Sequence, residues 1–361
     1  MTRIRALYVL GAVPLAVLGL AVAGLAAPAG AATSPRFAPP NRPGPAVTVP
    51  RAALHAALHC EGPFRTSRLE PVLLSPATGV TPEQNYSWNY ERAFTAQHRP
   101  WCAVTMPFHT LGDITIAGEY LVYAIRTEFA MAGRRIAVMG HSQGGMSMRW
   151  ALRFWPDTRA MVDDVIGMAG SNHGTAMVGS LCQPGLTRCT PATWQQGADS
   201  NFIKALNSYA ETFAGISYTE IFTHTDEVVQ PNSTDATSSS ALHTGAGAIT
   251  NVSTQDVCPL DLDEHLTVGT IDPVTYALAM DALGHDGPAE PARISRSVCL
   301  QPVQPGVNPL TVNTYLQLVG AAPGLLGVAT PGVNLVGAPE VAAEPPLPCY
   351  VFASGCSAAA G

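Results

Sequence analysis

Residues 140–144 read Gly-His-Ser-Gln-Gly, one serine held between glycines directly after the apolar run Ile136-Ala-Val-Met139. This is the G-x-S-x-G pattern, which seats a serine on a sharp turn between a strand and a helix. Such a turn strains the serine backbone, and side chains at the flanking positions would collide with the adjoining strand and helix; glycine removes the collision. Ser142 then carries an exposed hydroxyl at a helix N-terminus, and the next backbone N–H, that of Gln143, is free to bond an oxyanion. The chemistry on offer is nucleophilic attack on a carbonyl. The pattern alone recurs by chance in about one chain in five to ten of this length, so its companions decide.

A serine hydroxyl does not ionise near neutral pH; it needs a histidine base and a carboxylate to orient that base. On this type of turn they follow in the order Ser, Asp or Glu, His. Asp226 comes just after the apolar run Tyr218-Thr-Glu-Ile-Phe-Thr223, where a parallel sheet presents catalytic groups. The plain alternative for Asp226 is a turn cap, and the alternative acid is Glu227, which one residue along is expected to point elsewhere. For the base, His243 lies in a Thr/Ser/Gly-rich loop, His265 in Leu260-Asp-Leu-Asp-Glu-His-Leu266, and His285 beside Asp286; position alone does not choose among them. A second oxyanion donor belongs in the loop after an early strand. Pro76-Ala-Thr-Gly79 is that loop, and it offers the backbone N–H and hydroxyl of Thr78.

These groups meet only if regular elements bring them together. Glu70–Ser75, Arg135–Met139, Val165–Ala169 and Tyr218–Thr223 read as short buried strands. Between them, Leu121, Ile125 and Phe129 recur every four residues on one helix face of 118–132, and Met146–Phe154 is free of helix breakers until Pro156. Strands alternating with helices argue for an α/β fold with a mainly parallel sheet in a single domain.

Residues 1–31 have two arginines, a long apolar run and an Ala29-Gly-Ala31 site, the layout of a secretory signal peptide cleaved near Ala31. The run is nearly long enough for a membrane anchor, but Pro14 and the small-residue site favour cleavage. Removal takes away Arg3 and Arg5 and moves the formal charge from −7 to −9. That balance, with Lys204 the sole lysine, excludes a nucleic-acid surface. All eight cysteines follow the cleavage site, so export implies four disulfides; eight cysteines allow 105 pairings. No pair has C-x-x-C spacing, and no zinc site is expected. Residues 32–57 read as a proline-rich, unstructured arm, 58–301 as the catalytic domain, and 302–361 as an apolar extension packed on it.

Taken with Leu58-His-Cys-Glu-Gly62, Leu73-Leu-Ser-Pro-Ala-Thr-Gly79, Arg153-Phe-Trp-Pro156, Trp194-Gln-Gln196 and Thr225-Asp-Glu-Val-Val-Gln-Pro231, the chain resembles the Candida antarctica lipase B-like family of α/β-hydrolases. The resemblance covers most of 58–300 and implies Ser142 as nucleophile, Asp226 as orienting acid, His265 as base, and Thr78 with Gln143 as oxyanion hole. It implies disulfides Cys60–Cys102, Cys258–Cys299 and Cys349–Cys356, which leaves Cys182 with Cys189 in a segment corresponding to a small lid. It also implies a pocket of His141, Ser171, Gln196, Val228, Val229 and Leu266, with His141 and Ser171 replacing the family's tryptophan and aspartate. The tail lacks the family's alanine-rich helical character. The expected protein is a secreted, monomeric carboxylic ester hydrolase without metal or cofactor, acting on an ester or lipid. An envelope acyltransferase and a non-catalytic envelope scaffold are the rival readings.

Overall fold

The structure, a computed structural model, describes residues 36–320 and 334–358. The expected signal peptide at 1–31 and part of the C-terminal segment lie outside the described residues.

Seven strands form one sheet: β1 (Leu58–Glu61), β2 (Val72–Ser75), β3 (Trp101–Val104), β4 (Ile136–His141), β5 (Val162–Met168), β6 (Ser217–Phe222) and β7 (Ala248–Ser253). Their spatial order is β1-β3-β2-β4-β5-β6-β7; β1 runs antiparallel to β3 and every other pairing is parallel. This is the mainly parallel α/β architecture expected from the alternating pattern, and the α/β-hydrolase fold that the resemblance implies. The central strands are buried along nearly their whole length and mostly apolar, because both faces are covered. Leu73, Val138 and Val165 point into a layer with α4 (Ile114–Ala132) and α5 (Gln143–Phe154). Leu74, Met139 and Ile166 point into the opposite layer, with α2 (Pro82–Tyr86), α3 (Tyr90–Ala96) and the helix Pro273–Ala282.

Local chemistry sets the boundaries. Asp113 caps α4 by accepting the Thr115 N–H at 2.8 Å, and Gly133 ends it in the left-handed conformation at φ 67°. The helix after Ser142 begins at Gln143, three residues earlier than its apolar pattern suggests, so it starts directly on the serine.

The N-terminal arm differs from expectation. Residues 36–50 carry no long element but are pinned: Ala38 N–H donates to the Val351 carbonyl at 2.8 Å, and Trp155 Nε1 donates to the Pro45 carbonyl at 2.9 Å. Arg51–Ala56 is a helix, α1. Proline-rich sequence here is extended chain laid on the fold, its few polar groups met by neighbours. The tail also departs from its expected non-helical character, because Val312–Gly320 is helical, and Trp88 stacks on its Tyr315 at 5.2 Å. Leu347 and Val351 are buried in the main core. The four disulfides join the implied pairs, and Cys60–Cys102 ties β1 to β3 at facing register positions.

Candidate active site

Ser142 stands at the end of β4 with φ 54° and ψ −123°, a strained conformation for a residue with a side chain. The flanking glycines are obligatory: a Cβ on Gly140 would lie 2.3 Å from the Gly144 carbonyl carbon, and one on Gly144 would lie 2.1 Å from the Ser75 carbonyl oxygen. The turn is therefore wedged between β2 and its own helix, which fixes where the Ser142 hydroxyl points.

Asp226 follows β6, and His265 begins a short helix, His265–Val268, beyond β7. The structure brings both to Ser142. His265 Nε2 lies 2.9 Å from Ser142 Oγ, and its Nδ1 lies 3.0 Å from Asp226 Oδ2. Asp226 is 2% exposed; its Oδ1 accepts the Val228 and Val229 N–H groups at 2.9 and 2.7 Å, and Oδ2 also accepts from Asn232 Nδ2. Burial pushes the Asp226 carboxyl up, but the His265 ring and these N–H groups outweigh it and hold the pKa below the usual carboxylate value. Burial likewise pulls the His265 pKa down, while Asp226 lifts it further, so the net value lies above that of a free imidazole. Glu227, the other acid considered, accepts the His265 backbone N–H at 3.3 Å rather than its ring. His243 stacks on His173, and His285 pairs with Asp281, so neither belongs to this cluster.

Thr78 and Gln143 face each other beside Ser142. No backbone acceptor among the described residues takes the Thr78 N–H, and that of Gln143, at the first helical position, has no intrahelical acceptor. The Thr78 hydroxyl donates to Gln143 Oε1 at 2.8 Å, and Gln143 Nε2 donates to the Thr110 carbonyl at 3.0 Å. Gln196 Nε2 donates to Gln143 Oε1 at 3.1 Å. Two backbone N–H groups without a backbone acceptor thus lie beside an amide network that ties Thr78, Gln143 and Gln196 together.

A cavity of about 220 Å³ opens beside Ser142. His141, Gln196, Val228, Val229 and Leu266 line it. Ser171 does not: its hydroxyl lies behind the wall and donates to Gln196 Oε1 at 3.1 Å, so it positions an amide instead of touching the cavity. Met177, Val178, Leu181 and Val319 complete an apolar wall that the sequence reading missed. Their signal is weak, since in sequence an apolar residue on a cavity wall and one in the core look alike.

Comparison with known proteins places this geometry. The model of the family described as Lipase (class 2) matches residues 124–259. Lipase B of Pseudozyma antarctica is 33% identical over 342 residues, 92% of this chain and 95% of that one. The chain belongs to the lipase B-like family. The crystal structure of Aspergillus fumigatus lipase B agrees, with a TM-score of 0.75 and 30% identity over 90% of this chain and 77% of that one. The chain is therefore an ester hydrolase of the lipase/esterase kind on an α/β-hydrolase fold. No helix among its described residues is long and apolar enough to cross a membrane.

Proposed function

We propose that this chain is a secreted, monomeric serine lipase or esterase in which Ser142, His265 and Asp226 form the catalytic triad and the N–H groups of Thr78 and Gln143 form the oxyanion hole. One observation carries the reading: a single imidazole has Nε2 2.9 Å from a strained serine hydroxyl and Nδ1 3.0 Å from a buried carboxylate. Asp226 accepts Nδ1–H and so fixes the tautomer that leaves Nε2 free to take the Ser142 proton. Oγ bonds the ester carbonyl carbon, and the carbonyl oxygen, now negative, sits on the two backbone donors. Collapse breaks the ester C–O bond, and His265 returns its proton to the departing alcohol. Water, deprotonated by the same ring, then releases the acid and restores Ser142.

The acyl group is bound by the Val178, Val228, Val229 and Val319 wall, which favours medium or long chains presented at a lipid–water interface. Four disulfides support an extracellular site of action, reached by cleavage near Ala31. The test is covalent labelling by a fluorophosphonate. Wild type incorporates one label and loses activity, Ser142→Ala does neither, and an unlabelled wild type defeats the reading.

A further inference from the structure

His141 fills the place of the family's tryptophan, but its ring does more than line the cavity. It is 2% exposed and packs so closely on Gly269 that a Cβ there would meet it at 2.2 Å. Its two nitrogens have partners that fit only one tautomer. Nε2 lies 2.9 Å from the backbone carbonyl of His265, which can only accept, so Nε2 carries the proton. Nδ1 lies 3.4 Å from Asn85 Nδ2, which donates to it. The Asn85 amide is itself oriented, since its Oδ1 accepts the Ala77 N–H at 2.9 Å. Ala77 directly precedes Thr78, whose N–H the function proposed above places in the oxyanion hole.

A continuous chain of donors and acceptors therefore runs from Ala77 through Asn85 and His141 to the backbone of His265. Its neighbour Tyr86 makes a parallel tie: its hydroxyl donates to the Ser75 carbonyl at 2.7 Å and accepts the His141 N–H at 3.0 Å. Asn85 and Tyr86 are the last two residues of α2, a five-residue helix that a Thr81/Gln84 capping box and Pro82 set in place. Neither touches the Ser142 hydroxyl or Asp226. We propose that Asn85 and His141 are positioning residues that hold the oxyanion loop and the base-bearing loop in register through this hydrogen-bonded chain. This inference rests on the triad reading. A neutral ring suits the role: burial first, and then the neighbouring His265, push the His141 pKa down to about 3, so the brace stays uncharged while His265 takes and returns its proton. An indole in this place could donate but not accept, and would leave Asn85 Nδ2 without its partner.

Substitution separates bracing from mere filling. His141→Phe keeps a ring but no donor; His141→Gln places an N–H near the position of Nε2. On a soluble p-nitrophenyl ester, His141→Phe is expected to lower kcat about tenfold with KM within about twofold, the scale of one lost hydrogen bond to a group that must hold its place. His141→Gln is expected to recover kcat to within about threefold of wild type. Asn85→Leu should reproduce the Phe result, and the double variant with His141→Phe should lose little more than either alone, because both cut one chain. Imidazole ¹⁵N shifts of the wild type should report His141 as the neutral Nε2–H tautomer from pH 5 to 8. Equal kcat for the Phe and Gln variants, additive losses in the double variant, or the Nδ1–H tautomer would overturn the brace. If the triad reading were the part at fault, Ser142→Ala would retain activity, a result these variants do not mimic.

Discussion

Asp226→Asn is the most informative single change, because it keeps the shape of the site and turns one acceptor into a donor. In the wild type, Oδ1 accepts two backbone N–H groups and Oδ2 faces His265 Nδ1 at 3.0 Å. The two backbone donors force the asparagine to keep its oxygen at the Oδ1 position. Its NH₂ then points at Nδ1, which must become an acceptor, and the proton moves to Nε2, where it faces Ser142 and blocks the base. The lost charge adds to this: a unit charge pair at 3.0 Å in an effective dielectric constant near 20 is worth about 5 kcal/mol to the imidazolium that forms in the transition state. At 1.36 kcal/mol per decade that is a loss of about 10⁴ in kcat, the same order as the loss seen for this substitution in other Ser-His-Asp triads. The assay is kcat and KM on a soluble p-nitrophenyl ester across pH 5 to 9, with thermal unfolding as control. A loss under tenfold in a folded variant would refute the assignment of Asp226, and with it the tautomer argument.

With His265 as the proposed base, active only when neutral and with its pKa raised, the acid limb of the wild-type kcat/KM profile should have an apparent pKa above 6.5; a limb well below 6 contradicts this. Activity on p-nitrophenyl esters should climb from acetate to medium and long chains, by up to about fourfold per buried methylene, and a profile confined to acetate would count against the apolar wall. Removing the Cys182–Cys189 bond by double Ser substitution should alter hydrolysis of emulsified esters more than of soluble ones, because Leu181 lines the cavity and Leu186 at the loop tip is 79% exposed; equal effects would argue against a lid role. Finally, the His141 pKa is lowered on folding, so the unfolded chain binds the extra proton between pH 6.5 and about 3, and stability falls with acid in that window by about 1.4 kcal/mol per pH unit. Urea unfolding of His141→Gln between pH 4.5 and 6.5 should show a shallower slope by close to that amount, and parallel slopes would disprove it.

Ser142 was legible as a candidate because its constraint is local: the two glycines answer to clashes with residues within a few positions and with one neighbouring strand. His265 was not legible in the same way. It lies 123 residues from Ser142, and three histidines after Asp226 satisfied the order rule equally, so only the family resemblance separated them. The central strands announced themselves as apolar runs because they are covered on both faces. β7 did not: Ala248, Ile249, Thr250 and Asn251 are exposed or half-buried on the sheet edge, and a polar edge strand reads as loop. β1 was hidden in the same way, its residues exposed or half-buried on the opposite sheet edge. The tail helix Val312–Gly320 was hidden by the proline-rich sequence around it.

What remained illegible has a common physical form. Ser171, His141 and Asn85 are each defined by the partner of a polar atom, and the partner comes from elsewhere in the chain: Gln196, the His265 carbonyl, the Ala77 N–H. Composition says that a buried polar atom must be paired; it does not say with what. His141 makes the point most sharply. Beside a candidate nucleophile, a second histidine reads as a second base or a substrate contact, and both readings need a ring nitrogen left free, whereas both nitrogens of His141 are already partnered. Its ring lies 5.2 Å from that of His265, where a second positive charge would oppose the imidazolium that the proposed mechanism forms. Burial removes that conflict by keeping the ring neutral, and neutrality is what gives it one donor and one acceptor to spend on two loops. Sequence shows a histidine at position 141; only the packing around it makes that histidine part of the scaffold.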